Sequence, residues 1–177
     1  GGDGRLTLKG AVRELLATEF LTSLGVPTSQ TFSIIETGEE LQRNDESSPT
    51  RSAVLVRRNN SHIRIGTFQR LRYFNEYDNI AILLKYLREN YFTNIKPNKS
   101  IKTLAENIFL ESVKRIAETI GRIIVSGFVH GILNTDNFNV TGEVFDYGPW
   151  RFIEFANTNF TAAYFDTNGR YSFGRQP

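Results

Sequence analysis

Between residues 130 and 148 the chain reads His130-Gly-Ile-Leu-Asn134-Thr-Asp136-Asn137-Phe-Asn-Val-Thr141-Gly142-Glu-Val-Phe-Asp146-Tyr-Gly148, a stretch that concentrates oxygen ligands and one imidazole. If Thr141-Gly142 is the two-residue loop of a hairpin, Val140 faces Glu143, Phe138 faces Phe145, and Asn137 stands opposite Asp146. Directly paired residues have β-carbons about 4.5–5.5 Å apart, a spacing that suits one small hard cation between a carboxylate and an amide oxygen. Magnesium takes few protein ligands and usually binds beside substrate phosphates, so a set this sparse points to a nucleotide-bound metal. The same residues are also the makers of Asx turns, and Asn134, Asp136 and Asn137 fit that role equally.

A second constellation is Arg57-Arg58-Asn-Asn-Ser61-His62-Ile-Arg64-Ile-Gly66. Guanidinium groups hold phosphate oxygens through paired, charge-assisted hydrogen bonds, and two of them leaving one strand and turn could grip the end of a polyphosphate. A pair of arginines without further context is ordinary surface, and His62 has no neighbours at metal-ligand spacing. The third signal is a glutamate on the opening helix, where Glu14 and Glu19 are both available to orient a cationic side chain.

Periodicity supplies the elements that must carry these groups. Val12, Leu15, Leu16, Phe20, Leu21 and Leu24 mark a helix over residues 8–24, stopped by Gly25 and Pro27. Residues 31–35 and 52–57 read as strands rich in β-branched side chains, with residues 38–51 between them as an exposed polar loop. Helical spacing returns weakly at residues 68–74, clearly at 80–92 and strongly at 104–125, closed by Gly127. Short strands and turns follow from His130 to Tyr171. The order predicts an α+β arrangement of two unequal lobes.

Composition narrows the chemistry. A chain of 177 residues, 40% apolar and 23% charged, is that of a globular protein rather than a disordered or fibrous one. No apolar run is long enough to cross a bilayer as a helix, and Gly1-Gly2-Asp3-Gly4-Arg5 has no basic-then-apolar leader. Cysteine is absent, which removes disulfides, thiolate metal sites and thiol nucleophiles. The net charge of +2 comes without a dense basic tract, so neither nucleic acid nor a membrane is expected as a partner. The lack of methionine, and an opening that reads as a turn, predict an internal piece of a longer protein.

Protein kinases place a His and a metal-binding Asn at the two ends of a catalytic loop and an Asp-Phe-Gly shortly after. Here His130 to Asn137 has that spacing and Asp146-Tyr147-Gly148 takes the Asp-Phe-Gly place, but Ile132 occupies the position of the usual catalytic aspartate. A conventional hydroxyl kinase is thereby disfavoured, and Asp136 is the nearest carboxylate able to take a proton. With Gly2-Asp3-Gly4-Arg5, Arg13-Glu14, Leu24-Gly25-Val26-Pro27-Thr28, Arg57, residues 61–66, Asn134-Thr135-Asp136-Asn137, Asp146-Tyr147-Gly148-Pro149 and Gly169-Arg170-Tyr171-Ser172-Phe173, the sequence closely resembles the selenoprotein O (YdiU) family over essentially its whole length.

That resemblance implies a protein-kinase-like, two-lobed fold, incomplete here, with about residues 1–74 as the rest of the small lobe and linker and about 75–177 as the helical lobe. It implies a protein adenylyltransferase that binds ATP reversed and transfers AMP to Ser, Thr or Tyr hydroxyls of client proteins. Asp136 would accept the proton, Asn137 and Asp146 would hold magnesium or manganese, Arg57 and Arg64 would grip the γ-phosphate, Asp3 and Gly4 would touch the nucleotide, and Glu14 would steady the ATP-binding lysine. The family's glycine-rich segment and that lysine fall before Gly1, so the piece alone is expected to have little activity. Two rivals remain: a manganese-requiring protein uridylyltransferase using UTP, and a non-catalytic pseudokinase module. The expected compartment is the bacterial cytoplasm, or the mitochondrion if the source is eukaryotic.

Overall fold

A computed structural model describes residues 4–44 and 46–176. The chain is α+β, and it divides into two compact units, Gly1–Asn59 and Asn60–Pro177.

In the first unit, β1 (Leu6–Thr7) leads directly into α1 (Leu8–Ser23), and a hairpin of β2 (Gln30–Leu41) and β3 (Thr50–Arg58) follows. The three strands form an antiparallel sheet in the order β1-β3-β2. The Thr7 hydroxyl caps α1 by accepting from the Gly10 N–H at 3.0 Å, which satisfies one of the donors that a helix start leaves unpaired. The face of α1 turned inward is built of Ala11, Glu14, Ala17, Thr18 and Leu21. Small residues let a helix approach a sheet closely, whereas Val12, Leu16 and Phe20 from the same apolar stripe stay 42, 43 and 51% exposed.

The polar segment expected as a loop over residues 38–51 is strand at its two ends, with the connection between Leu41 and Thr50. β2 runs on to Leu41 and β3 begins at Thr50, across an irregularity between Glu36 and Glu40 where Gly38 has φ +76°. Residues 38–40 are exposed one after another and only Leu41 is buried, so no apolar alternation marks the extension. Cross-strand charges hold it instead, Arg51 donating to Glu36 and Arg5 to Glu39.

The second unit holds α2 (Ile65–Tyr73), α3 (Tyr77–Asn90) and α4 (Ile101–Val125), then β4 (Phe128–Val129) paired antiparallel with β5 (Arg151–Phe152), and a short 3-10 turn, Phe173–Arg175. The Ser100 hydroxyl caps α4. Leu84 and Leu87 of α3 pack with Phe92 and with Leu104 and Ile108 of α4, and Val140 from the loop that follows joins them. Phe128 anchors an aromatic cluster, stacked on Trp150 at 5.6 Å and meeting Tyr147 and Phe152 edge-on. None of the described helices is long and apolar enough to cross a membrane.

Candidate active site

The second unit brings Arg64, Asp136, Asn137 and Asp146 together through backbone pairing between segments about 70 residues apart. Val140 N–H donates to Ile63 carbonyl at 2.9 Å, Ile65 N–H to Phe138 carbonyl at 3.0 Å and Gly66 N–H to Thr135 carbonyl at 3.0 Å. Residues 63–66 therefore run as a rail beside residues 135–140. Ser61, fully buried, starts the rail by accepting the Ile63 N–H on its hydroxyl.

The hairpin does form, but one residue out of the expected register. Phe138 pairs with Val144, and Asn139 N–H donates to the Glu143 carbonyl at 3.0 Å, which makes Val140, Thr141 and Gly142 the loop. Val140 is 1% exposed and belongs to the helical core, so it cannot face Glu143; Gly142 closes the longer loop with φ +99°, a conformation that favours glycine. The side chains of interest still meet: Asn137 Nδ2 donates to Asp146 Oδ1 at 2.7 Å. The Asx reading holds for Asn134, whose Oδ1 accepts the Asp136 N–H at 2.8 Å, whereas Asn137 Oδ1 reaches back to accept the Asn134 N–H at 3.0 Å.

Around this pair the supports are tight. His130 is fully buried; its Nδ1 faces the Ile132 N–H at 3.4 Å and its Nε2 lies 2.8 Å from the Asp146 carbonyl oxygen, so the proton sits on Nε2 and is donated there. Burial holds the His130 pKa below its usual value, against the smaller opposing pull of its bond to the Asp146 carbonyl and the Asp146 charge. Tyr147 packs between His130 and Phe128, and Ile132 lies against Gly148. The Arg64 guanidinium stands 4.9 Å above the Phe145 ring, next to Asp146 in the chain. Asp136 is exposed, its carboxylate against Gly66.

Asp146 and Asn137 are the groups here that could hold a metal ion. Asp146 offers a carboxylate, and the Asn137 amide oxygen has two lone pairs of which the Asn134 bond uses one. Among the described residues there is no group of three or more His, Cys, Asp or Glu that could hold a metal ion.

In the first unit Arg57 and Glu14 face each other: Arg57 Nη2 donates to Glu14 Oε2 at 2.8 Å, with the side chains only 16 and 10% exposed. The glutamate expected to serve a lysine is bonded here to Arg57, one of the two arginines expected to grip phosphate. Gly4 is exposed ahead of β1 with φ +74°, and Asp3 lies outside the described residues.

Several supporting residues carried no signal in the sequence. Gln176 accepts the His130 N–H at 2.9 Å and donates to the Phe128 carbonyl at 3.1 Å, across 46 and 48 residues. Buried Glu143 accepts from Asn60 and from Thr141. The Gly169 to Phe173 motif wraps Asp166, whose two oxygens accept the Arg170 and Tyr171 N–H groups at 2.8 and 2.7 Å.

The loop from His130 to Asn137 and the Asn137–Asp146 contact lie in one unit, and sequence comparison gives the family of the chain that carries them. The chain is 50% identical over 177 residues to a protein of Synechocystis, and 53% identical over 177 residues to one of Gloeobacter violaceus, each named protein nucleotidyltransferase YdiU. A protein of the same name from Geobacillus kaustophilus is 35% identical over 181 residues. All of this chain is covered in each case, but only 37, 36 and 35% of the respective relatives. The family model described as protein adenylyltransferase SelO matches residues 1–177, and the chain belongs to that family.

Proposed function

We propose that the whole protein is an adenylyltransferase of protein-kinase-like fold that moves AMP from ATP onto Ser, Thr or Tyr hydroxyls of client proteins. The observation that carries this reading is the 2.7 Å contact of Asn137 with Asp146 in the unit that also presents Asp136 and Arg64. The chain spans little more than a third of the relatives it matches, so the activity proposed is that of the full-length protein. In the kinase-like arrangement, about residues 1–74 supply the rest of a small lobe and a linker that includes α2, and about 75–177 the helical lobe.

Asp136, exposed and held by the Asn134 turn, takes the proton from the attacking hydroxyl. As the hydroxyl oxygen bonds to the α-phosphorus, the bond from that phosphorus to the bridging oxygen breaks, and pyrophosphate leaves with the electron pair. Nucleotidyl transfer of this kind needs positioning and charge neutralisation more than covalent help. Magnesium or manganese held by Asn137 and Asp146 would neutralise charge on the leaving pyrophosphate. Arg64 and Arg57 grip the γ-phosphate of a reversed ATP, with Asp3 and Gly4 also touching the nucleotide. Glu14 supports the nucleotide site, and its bond to Arg57 gives that support a route through the arginine. The same reading puts the reaction in the bacterial cytoplasm, or in a mitochondrion if the source is eukaryotic.

The test is to incubate the full-length protein with ATP labelled on the α- or the γ-phosphate. Protein-bound label from the α position alone, with release of pyrophosphate, is the expected result; label from the γ position would mean a kinase and overturn the proposal. The relatives' name specifies no base, so UTP with manganese belongs in the same assay, and preferential UMP transfer would favour a uridylyltransferase. Full function after Asp146→Ala would leave a non-catalytic module.

A further inference from the structure

The start of α2 is capped by the loop it faces. Arg64, the N-cap residue, makes no side-chain cap bond; the Ile65 and Gly66 N–H groups donate to the carbonyls of Phe138 and Thr135, both at 3.0 Å. One turn on, Gln69 accepts from the Thr135 hydroxyl at 2.6 Å. These bonds fix the backbone on either side of Asp136. Between them the Asp136 carboxylate lies so close to Gly66 that a β-carbon there would fall 2.0 Å from Oδ1 and 2.9 Å from Cγ.

Gly66 sits in a helix at negative φ, where alanine is the better residue, so backbone conformation gives no reason for a glycine. The reason lies in the space. We infer that Gly66 is a positioning residue for transfer, its bare α-carbon allowing the Asp136 carboxylate to rest on the first turn of α2. This inference rests on the reading that Asp136 accepts the hydroxyl proton. The obstructed group is the free end of a side chain, so a methyl at position 66 turns the carboxylate away without forcing the backbone apart.

The experiment compares Gly66→Ala, Asp136→Asn, the double variant and Gly121→Ala in the full-length protein. Gly121 of α4 has open space where a β-carbon would go and serves as the helix-propensity control. Gly66→Ala is expected to melt no lower than wild type, to bind ATP within about 2-fold, and to lose roughly 10- to 100-fold in kcat, the scale of a misplacement near 1 Å. In the Asp136→Asn background the same change should cost nothing further. Wild-type kcat in Gly66→Ala beside an inactive Asp136→Asn overturns this inference alone. So does a further loss in the double variant, or a fall in melting temperature or ATP binding that accounts for the lost rate. Full transfer by Asp136→Asn overturns the proton-acceptor reading, and the inference with it.

Discussion

Asn137 donates its side-chain amide to the Asp146 carboxylate at 2.7 Å across a hairpin in which their backbones are offset by one position. The contact survives that offset because Val140 is drawn into the helical core and His130 holds the Asp146 carbonyl. The Asp146 carboxylate is thereby set beside the Asn137 amide, whose oxygen is turned to the Asn134 N–H, by groups that take no part in the chemistry. In the full-length protein, Asp146→Asn should lower the transfer rate by about 100-fold or more, with a melting temperature near wild type. Rates measured against magnesium and manganese concentration check this.

The Arg57–Glu14 pair makes a prediction about stability. Both groups are mostly buried, so removing one partner takes a charge-assisted hydrogen bond from the other. Glu14→Gln should destabilise the first unit by about 1.5–3 kcal/mol. A double-mutant cycle with Arg57→Met, read by denaturant unfolding, should return a coupling on the order of 1–3 kcal/mol. Additive effects would show that the two side chains do not support each other.

His130 makes stability depend on pH. Its folded pKa lies below the ordinary value of 6.5, so in the interval between them the unfolded chain binds more protons than the folded one. Stability from this group is therefore present above 6.5 and is lost as pH falls from there toward the folded pKa. Stability should therefore fall between about pH 7.5 and about 5.5, and His130→Gln should remove that part of the slope. Denaturant melts at the two pH values decide it.

Val140 links the core to the site. Truncating a fully buried branched side chain removes its transfer energy and leaves a cavity, so Val140→Ala should cost about 2–3 kcal/mol. Because the same residue sets the hairpin register, metal affinity of the full-length protein should weaken in step. Denaturant melts paired with metal titrations of the full-length variant test both parts.

Local features were legible from the chain alone. The helix expected at residues 8–24 is Leu8–Ser23 with Leu24 as its C-cap, and that expected at 104–125 is Ile101–Val125, because caps, glycine stops and apolar spacing act within a few residues. The hairpin extension to Leu41 escaped because its residues before Leu41 are exposed in succession and carry no alternation. The face of α1 was also misleading: a stripe of large residues suggests the buried side, yet Ala11 and Ala17 face inward.

Sequence by itself determined the residue types at the site, the order of the elements and membership of the family, since these follow from identity and short-range spacing. Only the tertiary structure decided that Val140 shifts the hairpin, that Arg57 meets Glu14, and that Asp136 rests on Gly66. Each of the three depends on packing or pairing between residues some 30 to 75 positions apart in the chain. At that separation, steric fit and hydrogen-bond satisfaction in the folded unit choose the partner, and spacing along the chain carries no record of the choice.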